Sequence, residues 1–439
     1  MKRGKYLVGI AAIALLLSGC SSNGDAADSS ETQDSSTQEA VGSDGEKQTL
    51  SFWTLQQSDG PLKDAQEAAV ADFEAANNVD IDLITFPYGE LQDKLLIAAA
   101  SNAAPDVMML DQIWVAQYAG AGYIDPIDEL MVDSGITQDD YFPGAWDSGF
   151  YQDQQFTVPF DVGVWALLYY NKDMFTAAGL DPEVPPATWD EFLAAGEALN
   201  AVKDESAIAM FASDGDATQV LWDAFTYSGG GMIVDPATNT VSLDQPAGVD
   251  GLQFYVDSAD LGPGGAKGAA GRATEDAFAL FTAGETAMNF YGEWGQDTIT
   301  TRAPDLNYGV ALLPAPAGGT SVGTFGGFNL GISSTSEKKK LAWEFVQYAS
   351  GFEKQQEITM LTPANRAAAE VYLQERRKFP DVILQQLNQA LFRPLIPNYT
   401  EFANEQRKVA ISALLGEQSP DEAIASGIPK LNEILNQSK

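Results

Sequence analysis

The chain has 439 residues, with 62 acidic against 24 basic side chains, a formal net charge of −38, one cysteine and no histidine. The acidic excess excludes nucleic acid and anionic lipid surfaces as charge-held partners, because nothing offsets phosphate repulsion. The missing histidine and solitary cysteine exclude the usual zinc and copper ligand sets, Ser-His-Asp and Cys-His nucleophile systems, and an internal disulfide.

Lys2, Arg3 and Lys5 open the chain, and an apolar run follows from Tyr6 to Leu17. About a dozen apolar residues cannot span a bilayer of roughly 30 Å as a helix. Their length and flanks are those of a removable signal peptide. Leu17-Ser18-Gly19-Cys20 then resembles the bacterial lipobox. That resemblance implies a signal peptide over 1–19, lipidation of Cys20, and a place on the outer face of the cell membrane (the periplasmic side in a two-membrane host). Residues 20–48 are polar and acidic, bury too little apolar surface to fold, and read as a self-repelling spacer. From Thr49 onward roughly 390 residues remain, beyond the size at which single cores stop growing, so two lobes are expected.

Thr49 to Trp53 alternates like a strand, and Leu62, Ala65, Ala69, Phe73 and Ala76 recur at helical spacing. Val79, Ile81, Leu83 and Phe86 give a second strand, Leu91 to Ala100 a second helix, and Val107 to Leu110 a short apolar strand. This βαβαβ order argues for an open α/β sheet, with ligand beyond the carboxyl ends of the strands. Those ends are Gln56-Gln57, Tyr88, and Asp111 to Trp114. Further on, Thr188-Trp-Asp-Glu191 predicts a capping box ahead of the apolar face Phe192, Ala195 and Leu199. Ser334-Thr-Ser-Glu337 predicts another, opening a helix that carries Leu341, Phe345, Val346 and Ala349 and stops at Gly351. The stretch Gly262 to Gly268 lacks the Lys-Ser/Thr ending of a phosphate loop and reads as a mobile surface loop. Composition leaves a calcium site of Asp and Glu open, although no Asp-x-Asp-x-Asp-Gly loop is present.

Several segments, taken in order, resemble one family. They are Ala104-Pro-Asp-Val-Met-Met-Leu110, Tyr118 to Gly122, Pro126-Ile-Asp128, Thr157-Val-Pro-Phe-Asp161, Tyr169 to Phe175, Ala178 to Asp181 and Pro186 to Glu191. The series continues with Gly229 to Gly231, Gly284 to Met288, Gly292-Glu-Trp294, Leu313 to Pro316, Phe325 to Phe328 and Ala342 to Val346. The chain is identified from about residue 48 onward as similar to the extracellular solute-binding proteins of ATP-driven importers, in the branch like maltose-binding protein. The resemblance implies a two-lobed, periplasmic-binding-protein-like fold of two open α/β sheets joined by hinge crossings. Matched segments place the crossings near Pro159-Phe160, Leu313-Pro314 and Leu361 to Pro363. The expected lobes are 49–160 with 314–360, and 161–313 with 361–439. Ligand would lie between them, and closure would present a surface to a membrane permease.

Sugars offer apolar C–H faces and hydroxyl edges, so their binders need aromatic plates and short carboxylates or amides. Strand ends supply Gln57, Tyr88, Asp111 and Trp114 as candidate contacts. The resemblance adds Asp161 beside the first crossing with Phe160, Trp222 seven residues before Gly229, and Glu293-Trp294. It also adds Gly326 and Gly327, where backbone amides approach ligand, and Arg366 after the third crossing. Trp53, Trp165, Trp189 and Trp343 sit in strand or helix patterns and read as core.

Together these features describe a monomeric binding lipoprotein that delivers a neutral sugar, an oligosaccharide, to a permease, with no cofactor, no metal and no catalytic step. Carboxylates and aromatics outnumbering Arg and Lys at these positions argue against phosphate esters. Asp111, Asp161 and Glu293 around aromatics would also suit a cationic solute such as a polyamine. A secreted glycoside hydrolase would carry the same residue types, with two carboxylates roughly 5–9.5 Å apart, but the ordered family segments oppose it. A surface adhesin without transport is the third alternative.

Overall fold

A computed structural model of the chain describes residues 47–437 apart from 58, 203–205 and 214. The expected signal peptide, Cys20 and all but the last two residues of the acidic spacer lie outside the described residues. β1 (Gln48–Leu55), the helix Pro61–Asn77, β2 (Val79–Phe86), the helix Tyr88–Ala100 and β3 (Val107–Asp111) follow in the order read from the sequence. β1 pairs in parallel with both β2 and β3, so their carboxyl ends share one edge. β3 is buried along its whole length, as its continuous apolar run requires.

β4 (Thr157–Trp165) and β5 (Leu167–Asn171) are separated by Ala166 alone, yet they belong to different sheets. β6 (Met288–Tyr291) and β7 (Tyr308–Ala311) flank β5 antiparallel in a three-stranded sheet of order β6-β5-β7. β8 (Thr324–Ile332) and the two-residue β9 (Thr362–Pro363) return the chain to the first sheet, whose order is β9-β4-β8-β3-β1-β2. The chain therefore passes between sheets at Ala166 and again across 312–323.

Each sheet has its own packed helices. Phe345, on the helix Lys339–Ala349, meets Phe52 and Phe73 edge-on at 5.2 and 5.1 Å. Around the second sheet, Trp189 stacks on Phe254 at 4.7 Å and Phe192 on Phe290 at 5.0 Å.

The capping box at Thr188 forms: Thr188 Oγ1 accepts from Glu191 N, and Glu191 accepts in return from Thr188 N. The one expected at Ser334 does not. The helix starts at Lys339 with Lys338 as its cap and no side-chain bond to it. Ser334 instead donates to Gly122 O, and Ser336 donates to Asp106. Asp106 also accepts from Ser51 N and Oγ and pairs with Lys338, so this turn is spent on tying β1 and β3 together. Gly351 follows that helix at φ −67° and caps the next one, Phe352–Ile358, so it is not a left-handed stop. The stretch after Gly262 is also not an open loop. It holds a short helix, Gly265–Ala269, because Asp260 accepts from Ala266 N.

Thr188→Ala removes the acceptor for one free helix amide and should lower unfolding stability by about 1 kcal/mol. The denaturant midpoint measures this. Ser334→Ala, which caps nothing, should not weaken that helix's start in the same way.

Candidate functional site

The strand edge and the second sheet meet at a cleft of about 390 Å³, within the range of small-molecule sites. Three kinds of surface line it. The first is aromatic: Trp165 at the end of β4, Trp294 after β6, Tyr88, and Phe328 on β8. Trp165 and Trp294 meet at 5.0 Å with their planes 76° apart, forming a corner with two ring faces. Tyr291 buttresses both at 5.6 and 5.7 Å and is itself stacked on Phe278 at 4.0 Å. On the opposite side Tyr88, half exposed, stacks on Trp114 at 5.8 Å and meets Phe328 edge-on at 6.2 Å.

The second surface is charged. Asp111, Asp216 and Glu275 line the cleft with one guanidinium, Arg393. Asp111 ends β3, accepts from Ile113 N at 3.1 Å to hold the following turn, and accepts from Tyr88 Oη at 3.0 Å. Burial raises its carboxyl, against the pull of Arg393 at 3.7 Å. Arg393 also pairs with Asp216 at 3.5 Å, and Asp216 with Arg407 at 3.7 Å. Burial works against the Arg393 charge, but Tyr399, Asp111 and Asp216 outweigh it and keep the group protonated.

The third surface is bare backbone, from Gly163, Gly215, Gly326 and Gly327. Gly327 has φ +146°, and a side chain there would drive into Asp161 O and Val162, so only glycine fits.

Of the residues singled out from sequence, Tyr88, Asp111, Trp294, Gly326 and Gly327 come together at this cleft. Trp114 stands behind Tyr88, 3% exposed, and supports it without lining the cleft. The others point elsewhere. Trp222 is fully buried on the helix Ala217–Ser228, and its Nε1 donates to Gly248 O at 2.8 Å on a neighbouring helix, so it is helix packing. Phe160 alternates to the other face of β4 and lines a small apolar void with Phe52 and Met109. Gln57 turns to Met360 Sδ at 2.5 Å and lines a separate polar groove with Asp59 and Lys63. Arg366 is exposed at the start of a helix, over the Phe142 ring at 5.9 Å.

Asp161 and Glu293 are buried beneath the cleft, as clamps. Asp161 accepts from Phe328 N at 3.0 Å and Leu361 N at 3.5 Å, spanning β4, β8 and the segment before β9. Glu293 accepts from Thr362 N at 3.0 Å and Thr362 Oγ1 at 2.7 Å. Burial lifts both carboxyls, Asp161 to about 7 despite the backbone amides that favour its charge.

Trp165, expected to be core, lines the cleft instead, and Asp216, Glu275 and Arg393 were missed in the sequence. Trp165 shares a strand face with Asp161 and Gly163, so period two was the available signal. Arg393 sits in Phe392-Arg-Pro394-Leu-Ile-Pro397, a basic residue in a proline-rich connection of a strongly acidic chain. The cleft's cation is thus Arg393 and not the expected Arg366, and carboxylates still outnumber it there. Among the described residues no group of three or more His, Cys, Asp or Glu is placed to hold a metal, and no helix is long and apolar enough to cross a membrane.

Residues 59–356 match the family model of the bacterial extracellular solute-binding proteins. A curated binding protein of Brucella abortus (strain 2308) is 25% identical over 375 residues, covering 83% of this chain and 88% of that one. Two solved structures superpose closely. The GacH receptor of Streptomyces glaucescens, solved unliganded and in complex with acarbose and an acarbose homolog, gives a TM-score of 0.75 at 27% identity, covering 90% of this chain and 100% of that one. A solute-binding protein of Thermotoga lettingae bound with alpha-D-tagatose gives 0.76 at 26% identity, covering 89% and 100%. The described fold is thus a two-lobed one, shared with sugar-binding importer components.

Because Asp161 titrates near 7 in the fold, above the usual carboxylate range, its neutral form favours folding. That contribution is present in acid and lost as pH rises through about 7, up to roughly 4 kcal/mol for a three-unit shift. The thermal midpoint should fall between about pH 4 and 7, level off above, and fall less in Asp161→Asn. Asp223, also buried and raised to about 7, acts in the same direction. Equal pH slopes for the unaltered and Asp161→Asn proteins would contradict this assignment.

Proposed function

This chain belongs to the bacterial extracellular solute-binding protein family, and from that premise we propose that it captures a neutral sugar, an oligosaccharide, between its lobes for delivery to a membrane permease. The observation that carries the reading is the Trp165–Trp294 corner facing Asp111, Asp216 and Arg393 across one cleft. Two ring faces at right angles accept the C–H faces of successive sugar units. Carboxylates accept from hydroxyls, and the guanidinium donates to them, so each hydroxyl finds a partner of either sense. Acarbose binding by the GacH receptor, at 27% identity, supports this ligand class.

The reading includes lobe movement about the passages between sheets, at Ala166 and across 312–323, rather than at the crossings near Pro159-Phe160 and Leu361 to Pro363 expected from the matched segments. Ligand favours the closed arrangement only by the extra contacts it makes there. Binding needs no bond broken, and the family and its solved neighbours are binding proteins. In the same proposal Cys20 carries lipid, holds the monomer at the outer membrane face, and raises its effective concentration near the permease.

Calorimetry with a panel of neutral oligosaccharides should find at least one tight ligand. Trp294→Ala and Trp165→Ala should each weaken it by at least about tenfold. Heat with a polyamine and none with any saccharide would overturn the sugar assignment. Cys20→Ala should move the protein from the membrane fraction to the medium or periplasm, and unchanged membrane retention would overturn the anchor.

A further inference from the structure

β4 and β8 pair in register, so Trp165 faces Thr324, Gly163 faces Gly326, and Asp161 faces Phe328 on one side of the sheet. The central pair has no side chains. Along the strands the gap from the Trp165 row to the Asp161 row spans four residues, about 13 Å at ~3.3 Å per residue. Packing does not account equally for both glycines. A Cβ on Gly163 would crowd Leu361 at 3.0 Å and Trp294 at 3.4 Å. A Cβ on Gly326 would meet only Arg393 Nη2, at 3.5 Å, an ordinary contact. Nor does φ at Gly326 require glycine. The fold would tolerate a side chain at this position, yet the floor there is bare.

The second observation is Arg393 itself. Its side chain is only 7% exposed, and its donors are poorly used. Nε has no partner, Nη1 reaches Asp216 at 3.5 Å, and Nη2 stands 3.7 Å from Asp111. A buried guanidinium with unspent N–H groups is costly unless something completes its bonds.

We propose that Gly326 and Arg393 beside it form a specificity subsite, in which one edge of a ligand ring approaches the bare strand backbone at Gly326 and presents a hydroxyl oxygen to Arg393. This rests on the sugar-binding reading and narrows it. Asp111 and Asp216 flank the guanidinium, so an anionic group arriving there would face two carboxylates at close range. A neutral polyol edge can accept from Arg393 and donate to either neighbour. The subsite therefore selects a neutral ring with adjacent hydroxyls and discriminates against sugar phosphates and sugar acids.

The test uses Gly326→Ala and Gly326→Val in the full chain, with calorimetry against the neutral oligosaccharide that the unaltered protein binds most tightly. Gly326→Ala should weaken binding by at least about tenfold with the thermal midpoint of the ligand-free protein unchanged, and Gly326→Val should weaken binding by more. In the unaltered protein the phosphorylated counterpart of that sugar should bind at least about a hundredfold more weakly. Unchanged affinity in both glycine variants, or equal binding of the phosphorylated sugar, would overturn the subsite while leaving the sugar reading intact. No binding of any neutral saccharide by the unaltered protein would overturn that reading and the subsite with it.

Discussion

The cleft depends on how Leu361 and Thr362 are held. Two buried carboxylates take this short segment from opposite sides, Asp161 from β4 and Glu293 from the turn after β6. Leu361 and Trp294 then press on the same glycine, Gly163. One set of bonds thus fixes the aromatic corner, the strand floor and the β9 contact together. The carboxyls suit this because each accepts two bonds, Asp161 from Phe328 N and Leu361 N, and Glu293 from the amide and hydroxyl of Thr362.

That arrangement has a thermodynamic consequence. Burial pushes both carboxyls upward, and only backbone amides oppose it at Asp161; at Glu293 the positive charge of Arg377 and the amide and hydroxyl of Thr362 oppose it. The clamp is therefore firm in geometry without being a strong source of stability at neutral pH, since removing a buried acid's charge is easier than paying its desolvation in full. Around Arg393 the balance is different, because opposite charges stand within a few ångströms: Arg393 is held in its charged form, and its pull opposes the burial that raises Asp111. The cleft presents the Arg393 guanidinium as a lasting positive charge, while Asp161 and Glu293 lie underneath.

Much of the scaffold was legible in the sequence. Period-two and period-3.6 patterns gave β1, β2, β3 and the two intervening helices, because each has one face in water or a continuous apolar run. The Thr188 cap was readable because its partner Glu191 is local. The Ser334 cap was not, because Ser336 bonds to Asp106, 230 positions earlier in the chain. The same contrast governs the site. Tyr88, Asp111 and Trp294 follow strands directly, so position along the chain reveals their edge. Trp222 lies on a helix buried at every residue after its first, and sequence spacing cannot tell a plate from packing there. Asp161 was placed in the right region with the wrong task, since a strand residue beside a crossing serves either ligand or chain.

Arg393 shows what remained beyond reach. It comes from an irregular stretch near the end of the chain and meets Asp111, 282 positions away, across the cleft. Nothing in its neighbours signals that meeting. What the sequence does contain is the complement, two glycines on strands that pair in register. Glycine inside a strand weakens it and usually marks a close approach by another group. Gly327 is explained by its own backbone and Gly163 by Leu361 and Trp294, whereas Gly326 has no such neighbour. A bare position that packing does not demand, beside a buried cation with unspent donors, is space kept open for an atom from outside the chain.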